Sequence, residues 1–429
     1  MIMSQTSPVS SPKPSHPITP PFGIGNHASV ELPDVQAAAS RLQGVAKVTP
    51  VQRFRLLSEM VGQPVWLKCE NLQRAGSFKI RGAYNRMARL SDEQKARGVV
   101  AASAGNHAQG VALAAQILGI DAVIYMPVEA PLPKVEATRG YGAEIRLAGN
   151  SVDEALTYAR AEAEQSGRTL IHPFDHPDVV AGQGTLALEI LQQVPDVKTV
   201  VVPVGGGGLI AGIATVLAQQ APQVRVIGVQ AENAAAYPDS LVAQKPIPRP
   251  PGDTMADGIA VGTPGIVPLE IISRLGVEIR TVTEGQIARA LLALLERSKQ
   301  VVEPSGAAGV AALMAHPLDF TGPIVAILSG GNIDPLLLMR VIRRGLVAGG
   351  RYLQLRVELD DRPGALASLI AAVAQNGANV VDVRHSRMES RLGVYGVVIT
   401  LELETKGHEH SEQVVAGLRK AGFEILGVQ

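Results

Sequence analysis

The chain has 429 residues, of which 46% are hydrophobic and 18% charged, so it buries a large core and is not a wholly disordered protein. Its 39 basic and 39 acidic residues cancel, which removes any global electrostatic argument for nucleic acid or an anionic membrane as a partner. No apolar run reaches the roughly 18 residues of a spanning helix, and the single cysteine, Cys69, cannot form an internal disulfide, so we expect a cytoplasmic protein.

The first 30 residues are rich in proline and serine and predict a disordered tail rather than a targeting signal. An amphipathic helix is predicted to begin at Pro33. Its apolar face consists of Val35, Ala39, Leu42 and Val45.

We expect residues 31–345 to form one region, because from about residue 65 to 345 short Val- and Ile-rich strands alternate with longer helices. This pattern is typical of an α/β region with a parallel sheet covered on both faces. There are too many elements for one compact sheet, so we expect two lobes with a cleft between them, the smaller lobe covering about residues 85–185. The predicted strands are 65–68, 98–102, 121–126, 199–203, 225–229 and 323–328. The predicted helices are 78–90 with Ser77 as its cap, 111–118, 152–164 with a capping box of Ser151 and Glu154, 210–218 and 335–346.

From residue 352 onward the pattern changes to β-α-β-β-α-β, the order of a ferredoxin-like α+β domain. We expect this domain to cover residues 351–429, joined to the rest through Gly349 and Gly350. Its predicted strands are 352–359, 379–387, 394–403 and 424–427, and its predicted helices are 366–374 and 411–421.

A run of four glycines, Gly205, Gly206, Gly207 and Gly208, lies between a predicted strand and a predicted helix. Glycines let the backbone approach an anion, and a helix start offers free N–H groups, so this turn is a candidate phosphate cradle. Two alternatives remain. The spacing from Gly206 to Ala211 also fits a dinucleotide fold, with Glu232 as the acidic residue, and the turn could be a close-packed connection without a ligand.

Two further polar segments follow predicted strands. Consecutive amides from Ser103 to Gly110 could hold a carboxylate, and Asn106 could meet a ring hydroxyl, whereas His107 is interpreted as a helix-end histidine with a satisfied hydrogen bond. Lys79 lies beside Phe78 at the start of an apolar helix, where the loss of water favours the neutral amine and Schiff-base chemistry. Taken alone, Lys79 could equally be a surface lysine.

Together these segments resemble the pyridoxal-phosphate enzymes of the tryptophan synthase β-like class, and within it the threonine dehydratases (threonine ammonia-lyases). The resemblance spans about residues 35–335. It is carried by residues 77–83, 103–110 and 205–208, by Ser329-Gly330-Gly331-Asn332, and by the supporting stretches 181–185 and Glu303-Pro304-Ser305-Gly306-Ala307. The tail from Tyr352 resembles an ACT domain in its element order and in Asp361-Arg362-Pro363-Gly364 with Asn379.

The resemblance implies a pyridoxal 5'-phosphate cofactor bound covalently to Lys79, whose amine would also remove the substrate α-proton. Phe78 would pack on the cofactor ring, Asn106 would meet its hydroxyl, and Ser329 would face its pyridine nitrogen. The phosphate would lie on Gly205, Gly206, Gly207, Gly208 and Leu209. The substrate carboxylate would lie on Ser103, Ala104, Gly105, Asn106 and His107.

A neutral partner such as Ser329 makes the cofactor ring a weaker electron sink, which favours early loss of the β-hydroxyl. The implied reaction is elimination of water from L-threonine to give 2-oxobutanoate and ammonia, with L-serine giving pyruvate. The cofactor phosphate would protonate the leaving hydroxyl. Ala104 stands where racemising relatives carry serine, so racemisation is not expected, and Pro238 replaces an acidic cation ligand, so no metal site is predicted.

The ACT-like tail implies feedback control by an amino acid, with isoleucine or valine as the effector near Arg362, Pro363, Gly364 and Asn379, in a homo-oligomer (dimer or tetramer). A tail that only dimerises is the simpler alternative. For the whole chain, the alternatives are a serine dehydratase or racemase, a β-replacing relative, a nicotinamide dehydrogenase built on Gly206, and a catalytically dead amino-acid sensor.

Overall fold

The computed structural model describes residues 29–387 and 396–428. The predicted tail up to residue 28 and the polar segment 388–393 lie outside these residues. The strands are β1 Val51–Arg53, β2 Val65–Cys69, β3 Val99–Ala102, β4 Ala122–Met126, β5 Glu144–Leu147, β6 Thr169–Leu170, β7 Thr199–Pro203, β8 Arg225–Ala231, β9 Glu278–Val282, β10 Ile324–Leu328, β11 Tyr352–Asp360, β12 Asn379–Ser386, β13 Gly396–Glu404 and β14 Glu424–Val428. The helices are α1 Leu32–Arg41, α2 Arg55–Val61, α3 Lys79–Ala88, α4 Asp92–Arg97, α5 Asn106–Leu118, α6 Leu132–Arg139, α7 Val152–Ser166, α8 Pro177–Gln193, α9 Gly208–Gln220, α10 Tyr237–Ala243, α11 Ile266–Arg274, α12 Glu284–Ala293, α13 Pro304–Ala315, α14 Pro335–Ala348, α15 Ala365–Gln375 and α16 His408–Lys420.

Two parallel sheets form the region before α14. The larger sheet has the order β1-β2-β10-β7-β8-β9 and is parallel except for the edge strand β1, which pairs antiparallel with β2. The smaller sheet has the order β5-β4-β3-β6 and consists of strands consecutive in the chain. The two-lobed parallel fold expected from the alternation of strands and helices is therefore confirmed.

The central strands of the larger sheet are buried along their whole length because helices cover both faces. All five residues of β7 and of β10 are buried, as the near-continuous Val and Ile runs predict. Cys69 ends the neighbouring strand β2 and is fully buried, and burial raises the pKa of its thiol to about 11. It is a packing residue, as expected.

The C-terminal sheet is antiparallel, with the order β12-β13-β11-β14. Apolar residues of β11 and β13 form one core with the inner faces of α15 and α16, among them Leu355, Leu401, Leu369 and Val414. This arrangement confirms the ferredoxin-like order read from the sequence.

Helix α14 connects this sheet to the rest of the chain. Val341 packs into the core of the larger lobe, and a Cβ at Gly345 would lie 3.0 Å from the Ala288 carbonyl on α12, so the two helices are in close contact. On its other side, Arg343 pairs with Glu402 of β13 at 2.5 Å. Among the described residues, no helix is long and apolar enough to cross a membrane.

Three local predictions need correction. Ser77 does not cap α3, because Phe78 is the N-cap and the Ser77 hydroxyl has no hydrogen-bond partner. The predicted capping box of α7 is half formed: Ser151 Oγ accepts from the Glu154 amide, but the Glu154 carboxylate accepts from the amide of Asn150. In α1 it is Ala38, one position before the predicted Ala39, that is fully buried.

Candidate active site

A cavity of about 900 Å³ opens between the two parallel sheets. The carboxyl ends of β3, β7 and β10 and the starts of α3, α5 and α9 converge on it, as expected for a ligand site in parallel sheets. The structure thus brings together every cofactor and substrate residue predicted from the sequence. The lining includes Phe78, Lys79, Ser103, Ala104, Gly105, Asn106, His107, Gly205, Gly206, Gly207, Gly208, Leu209 and Ser329.

Lys79 is the first residue of α3, and its backbone is tied to the end of β10. The Phe78 amide donates to the Ser329 carbonyl at 3.2 Å, and Ser77 forms a bridge with Gly330. The Lys79 amine donates to the Pro173 carbonyl at 3.1 Å. Burial lowers the pKa of this amine to about 8, against the opposing charge of Glu303. At pH 7, roughly one amine in ten is then neutral and able to act as a nucleophile or base.

The glycine turn joins β7 to α9 and cannot accept side chains. Gly207 has φ 94°, and a Cβ there would overlap the Tyr237 hydroxyl. A Cβ at Gly206 would overlap the Phe174 ring, and the Tyr237 hydroxyl donates to the Gly206 carbonyl at 3.1 Å. The turn therefore presents backbone groups at the N-terminus of a long helix, which suits an anion.

Glu303 is a site residue that the sequence reasoning did not assign a role. It is buried at the N-cap of α13 and lines the cavity, and its Oε1 accepts from Asn106 Nδ2 at 2.6 Å. Burial raises the pKa of Glu303 to about 7, helped by the charge of Asp257. The stretch that begins with Glu303 stands out in the sequence, but nothing in it indicates the contact with Asn106, which is 197 residues away.

His107 lies in the first turn of α5, and its Nε2 is 2.8 Å from the Ile171 carbonyl. Burial lowers the pKa of His107 to about 3, so the ring is neutral near pH 7. The interpretation of His107 as a helix-end histidine with a satisfied hydrogen bond is confirmed.

A buried network of charges lies beside the site and was not foreseen. Arg81, two residues after Lys79 on α3, bonds Glu70 at 2.8 Å and Glu189 at 2.7 Å, and Lys68 pairs with Glu189 at 2.5 Å. The side chains of Glu70 and Lys68 are fully buried and that of Arg81 is 1% exposed. Burial alone would raise the pKa of Glu70, but the Arg81 charge and hydrogen bonds hold it below its usual value.

The residues present fit pyridoxal phosphate. The half-buried amine of Lys79, with its lowered pKa, suits the aldehyde, and the glycine turn at a helix start suits the phosphate. The cavity walls supply the hydroxyl of Ser329 and the amide of Asn106. Ser305, which is 2% exposed and lines the same cavity, has a hydroxyl with no hydrogen-bond partner among the described residues. An unpaired buried hydroxyl of this kind is ready for a ligand group.

The predicted effector residues are not brought together within one chain. The turn from Arg362 to Gly364 follows β11 at Asp360, which pairs with Gly396 at the start of β13. Asn379 begins β12 and pairs with Glu404 at the end of β13. The two parts therefore lie at opposite ends of the sheet, on the order of 25 Å apart at about 3.3 Å per residue.

Two family models match the chain. One, described as pyridoxal-phosphate dependent enzyme, matches residues 42–330, and one, described as ACT domain, matches residues 352–425. The fold and the cavity thus define a pyridoxal-phosphate enzyme, and the chain belongs to the pyridoxal-phosphate dependent enzyme family, with an ACT domain at its C-terminal end. The nicotinamide alternative is therefore wrong, and the cofactor prediction is confirmed.

Curated relatives sharpen this assignment. The chain is 47% identical over 390 residues to an L-threonine ammonia-lyase of Geobacter sulfurreducens, covering 91% of this chain and 97% of the relative. It is 47% identical over 397 residues to an L-threonine ammonia-lyase of Thermotoga maritima, covering 92% and 99%.

Solved structures share the fold of the catalytic region. A threonine deaminase isoform of Solanum lycopersicum superposes with a TM-score of 0.69 at 37% identity, covering 76% of this chain and 98% of that one. Maize serine racemase superposes with a TM-score of 0.69 at 35% identity, covering 74% and 98%. The L-threonine ammonia-lyases confirm the predicted catalytic class, a carbon–nitrogen lyase, and the ACT domain match confirms the predicted C-terminal module.

The Glu303→Gln variant tests the electrostatic link between Glu303 and Lys79. An ionised Glu303 raises the pKa of Lys79, so its removal lowers that pKa further. In cofactor-free protein we expect the rate of pyridoxal phosphate capture, followed by absorbance against pH, to reach half its maximum at lower pH than in the wild type. Glu129→Gln, which changes an exposed carboxylate, is the control and leaves the profile in place. An unshifted profile in Glu303→Gln contradicts the link.

Proposed function

We propose that this protein catalyses the elimination of water from L-threonine, giving 2-oxobutanoate and ammonia, and that it acts on L-serine by the same steps. The observation that carries the proposal is the half-buried Lys79 amine, which lines the same cavity as the glycine turn and whose pKa is lowered to about 8. The near-full-length L-threonine ammonia-lyases described above support the choice of substrate.

The proposed division of the chain follows from the same arrangement. Residues 31–345 form the catalytic region, with a smaller lobe of about residues 85–185, and residues 351–429 form the regulatory domain. The single cysteine, buried and unpaired, supports a cytoplasmic location.

Each cavity residue has a proposed task. Lys79 holds the cofactor and its Nζ takes the substrate α-proton, which the low pKa allows near neutral pH. The turn at the end of β3 holds the substrate carboxylate, and there Ser103 Oγ accepts from the Gly105 amide at 3.1 Å and shapes the turn. When bound, pyridoxal phosphate supplies an electron sink for the electron pair left by the proton. The innermost wall, which includes the buried residues Glu303, Ser305 and Ser329, keeps bulk water away from the exchange.

The direct test is release of a 2-oxo acid from threonine by the purified protein supplied with pyridoxal phosphate, with no phosphate ester or sulfide donor present. We expect 2-oxobutanoate and ammonia in equal amounts from threonine, and pyruvate from serine. Binding of the cofactor without any 2-oxo acid release would overturn the proposal and favour a β-replacing relative or an amino-acid sensor.

Serine racemisation is a second candidate, favoured by the superposition on serine racemases such as that of Dictyostelium discoideum at a TM-score of 0.66. Ala104 lines the cavity directly before Gly105 and carries no group able to exchange a proton. Chiral analysis of serine recovered from the reaction distinguishes the two, and we expect it to remain the L-form.

We further propose that isoleucine controls the enzyme through the ACT domain, with valine opposing it, in a homo-oligomer. The turn at Arg362, Pro363 and Gly364 and the residue Asn379 lie at opposite ends of one sheet. An effector that contacts both parts therefore needs two copies of the domain. We expect the mass of a dimer or a tetramer in solution. Each effector site would combine the turn at residues 362–364 of one copy with Asn379 of another.

Arg343→Ala tests how control reaches the catalytic region. Arg343 on α14 pairs with Glu402, whose side chain is 7% exposed in the ACT sheet and also pairs with Arg384 of that sheet, while α14 packs on the catalytic core. We expect the variant to bind isoleucine, measured by calorimetry, yet to lose most of the isoleucine response in the threonine assay, with basal turnover within about twofold of the wild type. Arg344→Ala is the control, since Arg344 is exposed on the same helix and makes no ion pair with another described residue. Full retention of the response in Arg343→Ala contradicts this route.

A further inference from the structure

The carboxamide of Asn106 is held at both of its ends. Its Nδ2 donates to Glu303 Oε1 at 2.6 Å, and its Oδ1 accepts from Asn332 Nδ2 at 2.8 Å. Asn332 ends the segment that begins at Ser329, and no function has been assigned to it above. The two contacts together decide which way round the Asn106 amide lies.

The direction of this arrangement is set by a backbone carbonyl. Asn332 Nδ2 donates to the Ala75 carbonyl at 2.7 Å, and a carbonyl oxygen can only accept. The amino group of Asn332 must therefore face this side, and its second hydrogen points to Asn106 Oδ1, with a longer contact of 3.4 Å to Gln109 Oε1. Because Asn106 must present its oxygen to Asn332, its amino group faces Glu303.

The backbone around Ala75 is shaped to make this contact. Ala75 has φ 56°, a left-handed conformation that is costly for a residue other than glycine. The next residue, Gly76, has φ 68°, and a Cβ there would overlap the Asn332 carboxamide. The Gly331 amide donates to the Gly76 carbonyl at 2.9 Å and joins the two segments. Strain at one residue and the absence of a side chain at the next both serve the approach of Asn332.

We infer that Asn332 is a positioning residue that orients the Asn106 amide so that an N–H group, rather than the carbonyl, is offered to an anionic oxygen in the cavity. The inference rests on the proposed function, in which Asn106 meets the ring oxygen of pyridoxal phosphate. An N–H donor stabilises that oxygen in its ionised form, whereas a reversed amide would set a carbonyl oxygen against it. Asn332 thus controls the ionisation of the bound cofactor without touching it.

The test compares Asn332→Asp with Asn332→Ala in protein freed of cofactor and reloaded with pyridoxal phosphate. An ionised aspartate can only accept, so it removes the donor that holds Asn106 Oδ1 and competes with Glu303 for the amino group of Asn106. In Asn332→Asp we expect the visible absorption band of the bound cofactor to lose half its intensity at a higher pH than in the wild type. The affinity for pyridoxal phosphate should fall about tenfold. Asn332→Ala, which only frees the amide, shifts both in the same direction by less.

Asn71→Ala is the matched control. Asn71 bonds Gln300 and the Val301 carbonyl beside the same segment but does not contact Asn106, so its loss leaves the spectrum in place. Gly76→Ala is a second route to the same effect, because it displaces Asn332 without changing its identity.

An unchanged band titration and affinity in Asn332→Asp overturn the inference. So does an equal fall in melting temperature in the Asn332 and Asn71 variants with no spectral shift, because that is what a merely structural residue gives. If the wild-type protein takes up no pyridoxal phosphate, it is the proposed function that fails. If the wild type binds the cofactor and the Asn332 variants show the same band titration and affinity, the positioning role is refuted and the proposed function stands.

Discussion

Lys79→Ala is expected to lower threonine turnover by at least about 10³-fold. The variant loses the amine that holds the cofactor and the base that takes the α-proton, and no other lysine is among the residues of the inner cavity wall around Phe78, Asn106 and Ser329. Lys134 also lines the cavity but is paired with Asp257 at 2.6 Å. Turnover is measured as 2-oxobutanoate released, and covalent cofactor as the fraction that survives denaturation after borohydride treatment.

Two comparisons make this result specific. Lys95→Ala, at a position on α4 outside the cavity, should retain full turnover and full borohydride-trapped cofactor. Lys79→Arg keeps a positive charge but has no amine able to form the covalent link, so it should fail like alanine. Near-normal turnover in Lys79→Ala would show that the catalytic amine lies elsewhere.

Arg81→Ala is expected to lower the free energy of unfolding by about 3–5 kcal/mol, because it leaves buried carboxylates without their partner. Glu70 and Glu189 both bond the Arg81 guanidinium, and the Glu70 side chain is 0% exposed. Denaturant unfolding of the variant and wild type, monitored by circular dichroism, measures the difference. Arg55→Ala removes an ion pair whose side chains are 90% and 60% exposed and should change stability by no more than about 1 kcal/mol.

The pH dependence of this deficit has a definite sign. In the wild type the pKa of Glu70 is lowered, so its stabilising contribution is complete above the unfolded pKa and is lost only as pH falls through the lower folded value. Without Arg81, burial dominates and raises the pKa of Glu70 in the folded state. Protonation of Glu70 then removes the cost of an unpaired, buried carboxylate and stabilises the variant. The stability gap should therefore narrow as pH falls from 7 to about 5. A gap that widens over this range would mean that the network does not act through Glu70.

The sequence was most informative where one physical signal dominates. Strand β7 has the predicted bounds, Thr199–Pro203, because a run of three valines follows Thr199 and the glycine turn begins two residues after Pro203. The glycine turn and Lys79 were also found, because a strand that runs into glycines and a lysine in an apolar helix start are both local patterns. The short edge strand β1 was missed, because three residues give no periodicity.

Contacts between residues that are distant in the sequence could not be predicted from it. Glu303 approaches Asn106 only after two lobes have folded around the cavity, and no spacing rule relates positions 197 residues apart. The Arg81 network likewise joins α3 to a residue 108 positions later, Glu189 on α8. The predicted cap at Ser77 was wrong because Phe78 takes the N-cap position, while Ser77 pairs with Gly330 and its hydroxyl accepts no helix amide. Tertiary pairing here overrides a local helix-start signal.

The chain has one cysteine, and it lies at the end of β2 in the hydrophobic core of the larger lobe. Its thiol pKa of about 11 leaves almost no thiolate at neutral pH, and its sulfur is fully buried. A thiol reagent can therefore react only when the middle of the larger lobe opens. The rate of alkylation of Cys69, measured by mass spectrometry, therefore reports how often the core of the larger lobe opens. The same measurement shows whether bound cofactor or effector slows that opening.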